Sequence, residues 1–542
     1  MDRLDFGGNS VAGGERLDAD SGVEPSLSGA FPLSPAQLGI WFAQHMDPQV
    51  PISIAQYVDV DGDIDRPVLR EASIIASREF GSGFLRIIER DGEPLQYVDY
   101  SIPDSDDIGY VDLRAEDDPS AAAAAWMRAE YSRPLYMVND RLIMSVVLQL
   151  ADRHWYWYTR VHHIVLDGFG AMTWLKRFAE IYTALLQGAD VTPSRATDLH
   201  TIYGQEIAYR ESSRFVADKE YWVGRVAGLE EGTSLARGSA PRAAINGIVS
   251  AALSEEQNTL LDAAVARHDS SPAGLLLAGF AAYLAQWNGV EDVILSLPVT
   301  ARTTAAMRRS GGVSSNIVPL RLHVGHDTTV SGLLKQVQVE VVGALRHQRY
   351  RHEDIRRDTA VGAVRTELFG PSVNIMLIHD RLILGQAVGK VRILSTGNVP
   401  DLAVNLYQSE GGVRYRIDFE TNPNLYTKDE ARMQHSRFLN YFKAFLAARA
   451  DLPIWDLKIL SSDESRRVLV DWNDTKHPLP AATLVSLFEA QVARTPDSPA
   501  VTFEGTSLSY AEFARRVHQL ARWLKVNGVG PESYVALGMR RS

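Results

Sequence analysis

Apolar residues recur at two spacings along this chain, and each switch between them marks a strand giving way to a helix. Leu142 to Ala151 and His154 to Arg160 carry β-branched and aromatic residues, and the second run has no turn residue. They read as successive strands. From Phe169 onward the apolar positions are Met172, Leu175, Phe178, Tyr182, Leu185 and Leu186, a helical spacing with one buried face. Ser34-Pro35 and Asp118-Pro119 each place a capping side chain before a proline at the first helical turn, opening helices from Pro35 and from Pro119 to Tyr131. Ile54 to Val60 reads as a strand and Arg66 to Ser77 as a helix. Farther on, Tyr203 to Val226 reads as one helical stretch, Leu260 to Trp287 as one long apolar helix, and Val293 to Val299 as a buried strand. The alternation predicts an α/β protein.

Breaks in the pattern divide the chain. Residues 1–30 are rich in Gly, Ser, Asp and Glu with almost no apolar period, and read as a flexible leader. A polar break from Gly188 to Arg195 separates a first half, 31–195, from a second, 196–455. Residues 456–482, with Pro478 and Pro480, read as a linker to a last segment, 483–542. At 542 residues the chain is too long for one core. A net charge of −12 argues against a nucleic-acid partner. The absence of cysteine removes disulfides and thiolate chemistry and fits a reducing compartment. No signal peptide opens the chain and no run of about 18 apolar residues could span a bilayer. The expectation is a cytoplasmic protein without a membrane partner.

Chemistry concentrates where the aromatic strand ends, in Val161-His162-His163-Ile164-Val165-Leu166-Asp167-Gly168-Phe169-Gly170. Asp167 ahead of a helix is by itself a sufficient N-cap. Adjacent histidines on a strand point to opposite faces, so at most one naturally faces a cleft while the other packs. A metal site is disfavoured, because no further His or Cys stands at ligand spacing. Acid–base work suits the pair better, since a neutral imidazole near a helix N-terminus can move a proton close to pH 7.

As a constellation, His-His-x-x-x-Asp-Gly resembles the signature of nonribosomal peptide synthetase condensation domains, and the likeness extends over residues 30 to 460. The resemblance implies two chloramphenicol acetyltransferase-like halves in a V-shaped pseudo-dimer, with the site between them. It implies that His163 is the catalytic residue, that His162 and Asp167 hold its loop, and that Gly168 completes the motif. Arg302, following the buried strand, is expected to pair with Asp167 and tie the halves together, although an arginine there could simply be solvated. Asn316, in the stretch Asn316-Ile317-Val318-Pro319-Leu320-Arg321, is expected to support the site.

Other stretches extend the likeness. Leu33 to Phe42 resembles the first condensation motif, Tyr203 to Val226 the fourth, and His347 to Ile355 the sixth, for which a structural role is expected. Arg78 to Arg86 departs from the second motif, and its two glycines loosen the backbone. Leu368 to Met376, Ser395 to Leu402 and His154 to Tyr158 resemble condensation domains of enterobactin-type siderophore synthetases. Phe6 to Val11 is similar to a carrier attachment motif, yet a carrier needs a helix before its serine and only nine residues precede it. Residues 483–542 look like the beginning of an adenylation domain, without a Gly-rich phosphate loop. The function implied is amide formation between two carrier-bound substrates. No cofactor is bound by the chain itself, and the phosphopantetheine arms of the carriers enter the site. An upstream donor carrier acting in trans, a downstream acceptor carrier and the rest of the adenylation domain are the expected partners. The alternatives are an acyl-CoA-dependent acyltransferase and a non-catalytic domain that recruits partners.

Overall fold

Strand-to-helix punctuation settles most of the local structure. Ser34 accepts from the Gln37 N–H while the Gln37 side chain accepts from the Ser34 N–H, closing a capping box at the start of the helix Pro35–Met46. Asp118 caps Pro119–Tyr131 in the same position. The computed structural model describes residues 29–101, 108–138, 140–229, 232–359, 369–376, 381–408, 414–479 and 481–539, so the expected leader and the Phe6 to Val11 stretch lie outside it, apart from residues 29 and 30.

The chain divides into two units, Met1–Ser461 and Ser462–Ser542. Within the first are two six-stranded mixed sheets. One runs in the order Arg381–Leu384, Ala387–Ser395, Ser53–Asp61, His154–His162, Ile143–Ala151, Gly109–Asp112. The other runs Asn316–His323, Asp292–Val299, Ser372–Met376, Leu402–Gln408, Tyr415–Thr421, Gly247–Ala252. The helix Gly168–Leu186 packs Leu175, Phe178 and Tyr182 on Val58 and Trp157 of the first sheet. Helices Pro272–Asn288 and Lys428–Ala447 cover the second, where Phe280, Phe419 and Phe438 stack edge and face.

Four expectations need correction. The division into halves at residue 195 is not a clean cut, because the hairpin Arg381–Leu384 and Ala387–Ser395 belongs to the second half in sequence but pairs with Ser53–Asp61 in the first sheet. The single helix expected over Leu260 to Trp287 is two, Glu255–His268 and Pro272–Asn288: Asp269 takes a positive φ, Ser271 caps the new helix and Pro272 opens it. Tyr203 to Val226 likewise splits into Leu199–Arg210 and Ser213–Val226, with Ser212 as the second cap. The stretch expected as a linker starts later than residue 456, since Ile454 and Leu457 are buried in the first unit's core, and Ser462–Leu469 is helical.

The second unit holds the helices Leu484–Arg494 and Tyr510–Val526 and the hairpin Pro499–Phe503 with Thr506–Ser509. Among its described residues Ala514 is the one fully buried side chain, while Leu484, Leu520 and Trp523 are exposed. Among the described residues of the whole chain, no helix is long and apolar enough to cross a membrane.

Candidate active site

The aromatic strand delivers His162 and His163 between two neighbours: the His162 N–H bonds the Leu142 carbonyl and the His163 N–H bonds the Ile52 carbonyl. The two rings then part. His162 is wholly buried. Its Nδ1 accepts from the Ile164 N–H at 3.1 Å, which places the ring proton on Nε2, 3.2 Å from Gln44 Oε1. Burial, with His163 and Arg160 beside it, pushes its pKa down to about 3. Gln44 is itself fixed, donating to the Asp47 and Val50 carbonyls and accepting from the Ile52 N–H.

His163 is only partly covered. Burial lowers its pKa below the ordinary 6.5, against the pull of the Asp167 charge and of hydrogen bonding with its own backbone and that of Thr396. The ring is therefore neutral at pH 7 and able to take up a proton. A Cβ at Gly397 would lie 3.7 Å from His163 Cδ2, so the loop after Ala387–Ser395 passes directly over the imidazole.

Asp167 caps the helix Gly168–Leu186, its Oδ1 accepting from the Gly170 N–H at 2.7 Å. Its Oδ2 accepts from Arg302 Nη1 at 2.6 Å and from the Ser314 and Ser315 N–H groups at 2.9 and 2.8 Å. Burial alone would raise this carboxyl, but the Arg302 charge and the four hydrogen bonds hold it below its ordinary value. The expected pairing of Arg302 with Asp167 is formed, joining the halves at a point where both side chains are buried. It is not a two-pronged grip on the carboxylate, because the backbone of Ser314 and Ser315 occupies the remaining acceptor sites. The second arm of Arg302 instead donates to the Gly312 carbonyl at 2.7 Å, and the guanidinium lies over the Phe169 ring.

Asn316 lies beneath this loop. It donates to the Gln348 and Tyr350 carbonyls and accepts from the His352 N–H, while Arg351 donates to the Ser314 and Ser315 carbonyls. The charged stretch at 347–355 therefore braces the Asp167 anchor: Tyr350 and Ile355 are buried, and Asp354 pairs with Arg210 and Arg357. The divergent segment at 78–86 braces it from the other side. Phe80 packs under Gly311, Glu79 accepts from Nε and Nη2 of Arg177 on the signature helix, each at 2.7 Å, and Gly83 fits against Ser77 where no side chain could.

Gly168 is exposed, and a Cβ there would meet nothing within 4 Å. Gly170 is the opposite case, where a Cβ would lie 2.9 Å from the Gly312 carbonyl oxygen. The arrangement is thus a neutral, partly accessible imidazole beside a rigidly anchored carboxylate, with open space at the first turn of a helix.

A family model described as "Condensation domain" matches residues 28–469. The chain belongs to the condensation-domain family. Members of this family are acyl-transferring enzymes that form amide bonds from carrier-bound phosphopantetheine substrates in nonribosomal peptide synthetases. A model described as "AMP-binding enzyme" matches residues 488–542, so the condensation domain is followed by part of an adenylation domain. A dimodular nonribosomal peptide synthase of Bacillus subtilis is 31% identical over 514 residues, 94% of this chain and 21% of the relative. Enterobactin synthase component F of Shigella flexneri is 30% identical over 528 residues, 95% of this chain and 40% of the relative. The chain thus spans between about a fifth and two fifths of the length of these relatives. Among solved structures, a variant of the starter condensation domain of rhizomide synthetase with C8-CoA superposes with a TM-score of 0.75 at 32% identity, covering 80% of this chain and 98% of that one. The first condensation domain of the calcium-dependent antibiotic synthetase, with a substrate analogue, gives 0.72 at 28%, covering 80% and 100%.

Sequence reasoning missed Gln44 at this candidate site, and it singled out the stretches holding Arg351 and Thr396 without placing either residue beside the signature. Gln44 had a local signal: with Gln37 and Trp41 it lies on the buried stripe of its helix, where a polar residue needs a reason. Thr396 had only the resemblance of its stretch, because its place depends on a hairpin crossing from one half to the other.

Proposed function

We propose that this condensation domain joins a carrier-bound acyl, aryl or aminoacyl thioester to the amine of a carrier-bound aminoacyl group. The amine nitrogen attacks the thioester carbonyl, the carbon–sulfur bond breaks, and the proton lost by the amine ends on the departing carrier thiolate. His163 is the catalytic residue of this reading. It is neutral, partly accessible and set on a strand end that Gln44 and the Asp167 anchor keep from shifting. That combination is the observation that carries the proposal. An α-amine with a pKa near 8 is substantially neutral at working pH and a thioester is already activated, so the task left to His163 is to orient the amine and relay one proton. His162, Asp167, Arg302 and Asn316 are positioning residues, and no cofactor need be held by the chain itself. The kinship with enterobactin synthase component F supports a siderophore pathway as the setting.

A second reading has one observation in its favour. The rhizomide starter domain that superposes on this chain was solved with C8-CoA, which suits a donor delivered directly as acyl-CoA.

The test is single-turnover amide formation between two loaded carriers, with soluble acyl-CoA as a parallel donor. His163→Ala should slow the reaction by roughly 10² to 10⁴, the usual worth of a positioned proton-transfer group, with an unchanged melting temperature. Near-wild-type turnover of that variant would remove His163 from the mechanism. Equal efficiency with acyl-CoA and with loaded carriers would select the second reading.

A further inference from the structure

The second sheet has an apolar face and a polar one. Leu402, Val404, Leu406, Ile417 and Phe419 point into the helix-covered core. Alternation along a strand turns their neighbours to the other side, where Glu420 reaches Thr396 and lies near Tyr131 of the first half. Strand register aligns Asn374 with Asn405, Asn405 with Asp418 and Asp418 with Ser250, a row of four polar side chains across four strands.

Asn405 is 1% exposed, and its Nδ2 has no hydrogen-bond partner among the described residues. A buried amide left unpaired is costly, and proteins retain one where something else satisfies it. Directly beside it Asp418, also buried, takes bonds from Ser250 Oγ and from Arg416 Nε at 3.0 Å, both on Oδ1, and among the described residues Oδ2 takes none. The row is close to the chemistry. Asp418 is two residues, about 7 Å, from Glu420 along the strand. Glu420 Oε2 accepts from Thr396 Oγ1 at 3.2 Å, and a Cβ at the next residue, Gly397, would lie 3.7 Å from His163 Cδ2. The amide therefore lies on the same face of the sheet as Glu420, whose partner Thr396 belongs to the loop over His163.

We propose that Asn405 and Asp418 form a specificity pocket beside His163 for a hydroxyl-bearing substrate group, carried on the transferred acyl group or on the acceptor side chain. The inference rests on the amide-forming reading above. A hydroxyl oxygen accepts from the Asn405 amide while its proton goes to Asp418, satisfying both. An ammonium group only donates and would leave the amide unpaired, a carboxylate would face Asp418, and an alkyl group would satisfy neither.

The test uses the full 542-residue chain and single-turnover amide formation with loaded carriers. Donors are benzoyl, 3-hydroxybenzoyl, butanoyl and 3-hydroxybutanoyl, and acceptors are alanyl and seryl. On one side of the reaction the hydroxylated substrate should exceed its parent by about tenfold or more, because a site built to bond a hydroxyl rejects the analogue lacking it. The donor and acceptor arms tell which substrate carries the group. Asn405→Leu should bring that ratio close to one. If its melt shows a folding defect, Asn405→Ala and Asp418→Asn replace it, and the wild-type ratios decide independently of any variant. Ratios near one throughout in the wild-type protein, or a preference that survives Asn405→Leu, overturn the proposal. Amide formation without hydroxyl preference removes this inference alone, whereas no amide from any pair of loaded carriers removes the functional reading and this inference with it.

Discussion

His162 and His163 are adjacent in sequence and separated in duty because a strand turns neighbouring side chains to opposite faces. That divergence was legible in the sequence; which ring would be buried was carried only by the resemblance, because burial depends on Gln44 arriving from another element. The buried ring should betray itself energetically. Removing it in His162→Ala leaves a cavity and strands Gln44 and the Ile164 N–H, so a loss of about 2–4 kcal/mol is expected in urea unfolding. Its pH dependence has a definite sign. The folded pKa of about 3 lies below the ordinary 6.5, so the unfolded chain binds the proton first. The contribution is whole above pH 6.5 and drains as pH falls toward 3, by about 1.4 kcal/mol per unit. His162→Asn, which can still bond both partners, should therefore have a flatter stability curve than the wild-type protein between pH 6.5 and 4. Parallel curves would show that His162 titrates normally.

At the scale of elements, the signature helix is positioned by its glycines in two different ways. A Cβ at Gly170 would press on backbone at Gly311 and Gly312, which cannot swing aside as a side chain can. Gly170→Ala should cost about 1–3 kcal/mol and lower turnover, by displacing the Arg302–Asp167 anchor. Gly168 meets nothing, and alanine is the better helix former, so Gly168→Ala should melt at the same temperature or slightly higher. Any loss of turnover in that variant then reports on a substrate passing the open first turn. A thermal melt and a single-turnover assay on both variants check this, and a destabilised Gly168→Ala would contradict it. Helix starts were readable at this scale because Ser-Pro and Asp-Pro signals act locally. The breaks at Asp269 and Ser212 carry local signals of the same kind, Asp269-Ser270-Ser271-Pro272 and Glu211-Ser212-Ser213, but the apolar or aromatic residues on either side make each pair of helices read as one.

For the molecule as a whole, the hairpin Arg381–Ser395 makes the two halves of the first unit interdependent. Without it the strand Ser53–Asp61 becomes an unpaired edge, and the loop over His163 is lost. Residues 1–195 expressed alone should aggregate or remain molten, and co-expression with residues 196–542 should restore a cooperative melt. A stable, well-dispersed amide spectrum from 1–195 alone would refute this. The second unit should behave differently. Leu484, Leu520 and Trp523 are exposed, and one described residue is fully buried, so its backbone bonds lack an apolar shield. Amide exchange over 484–526 should be at least about a hundredfold faster than around Leu295, which is wholly buried; comparable protection would mean that the unit has a core of its own.

What short-range physics controls could be read along the chain: caps and prolines that start helices, apolar periods that choose strand or helix, and the order His-His-x-x-x-Asp-Gly that puts a carboxylate on a helix N-terminus just past a strand end. Resemblance supplied the pairing of Asp167 with Arg302, 135 residues away. It took the folded chain to settle that Asp167 is held by four hydrogen bonds, that Gln44 Oε1 meets His162 Nε2, that a hairpin from the second half brings the loop at Thr396 and Gly397 over His163, and that the buried Asn405 Nδ2 has no partner among the described residues. Each of these is a contact between elements distant along the chain. Its energy comes from burying polar groups together where water cannot reach them, and local pattern carries no record of which groups those will be.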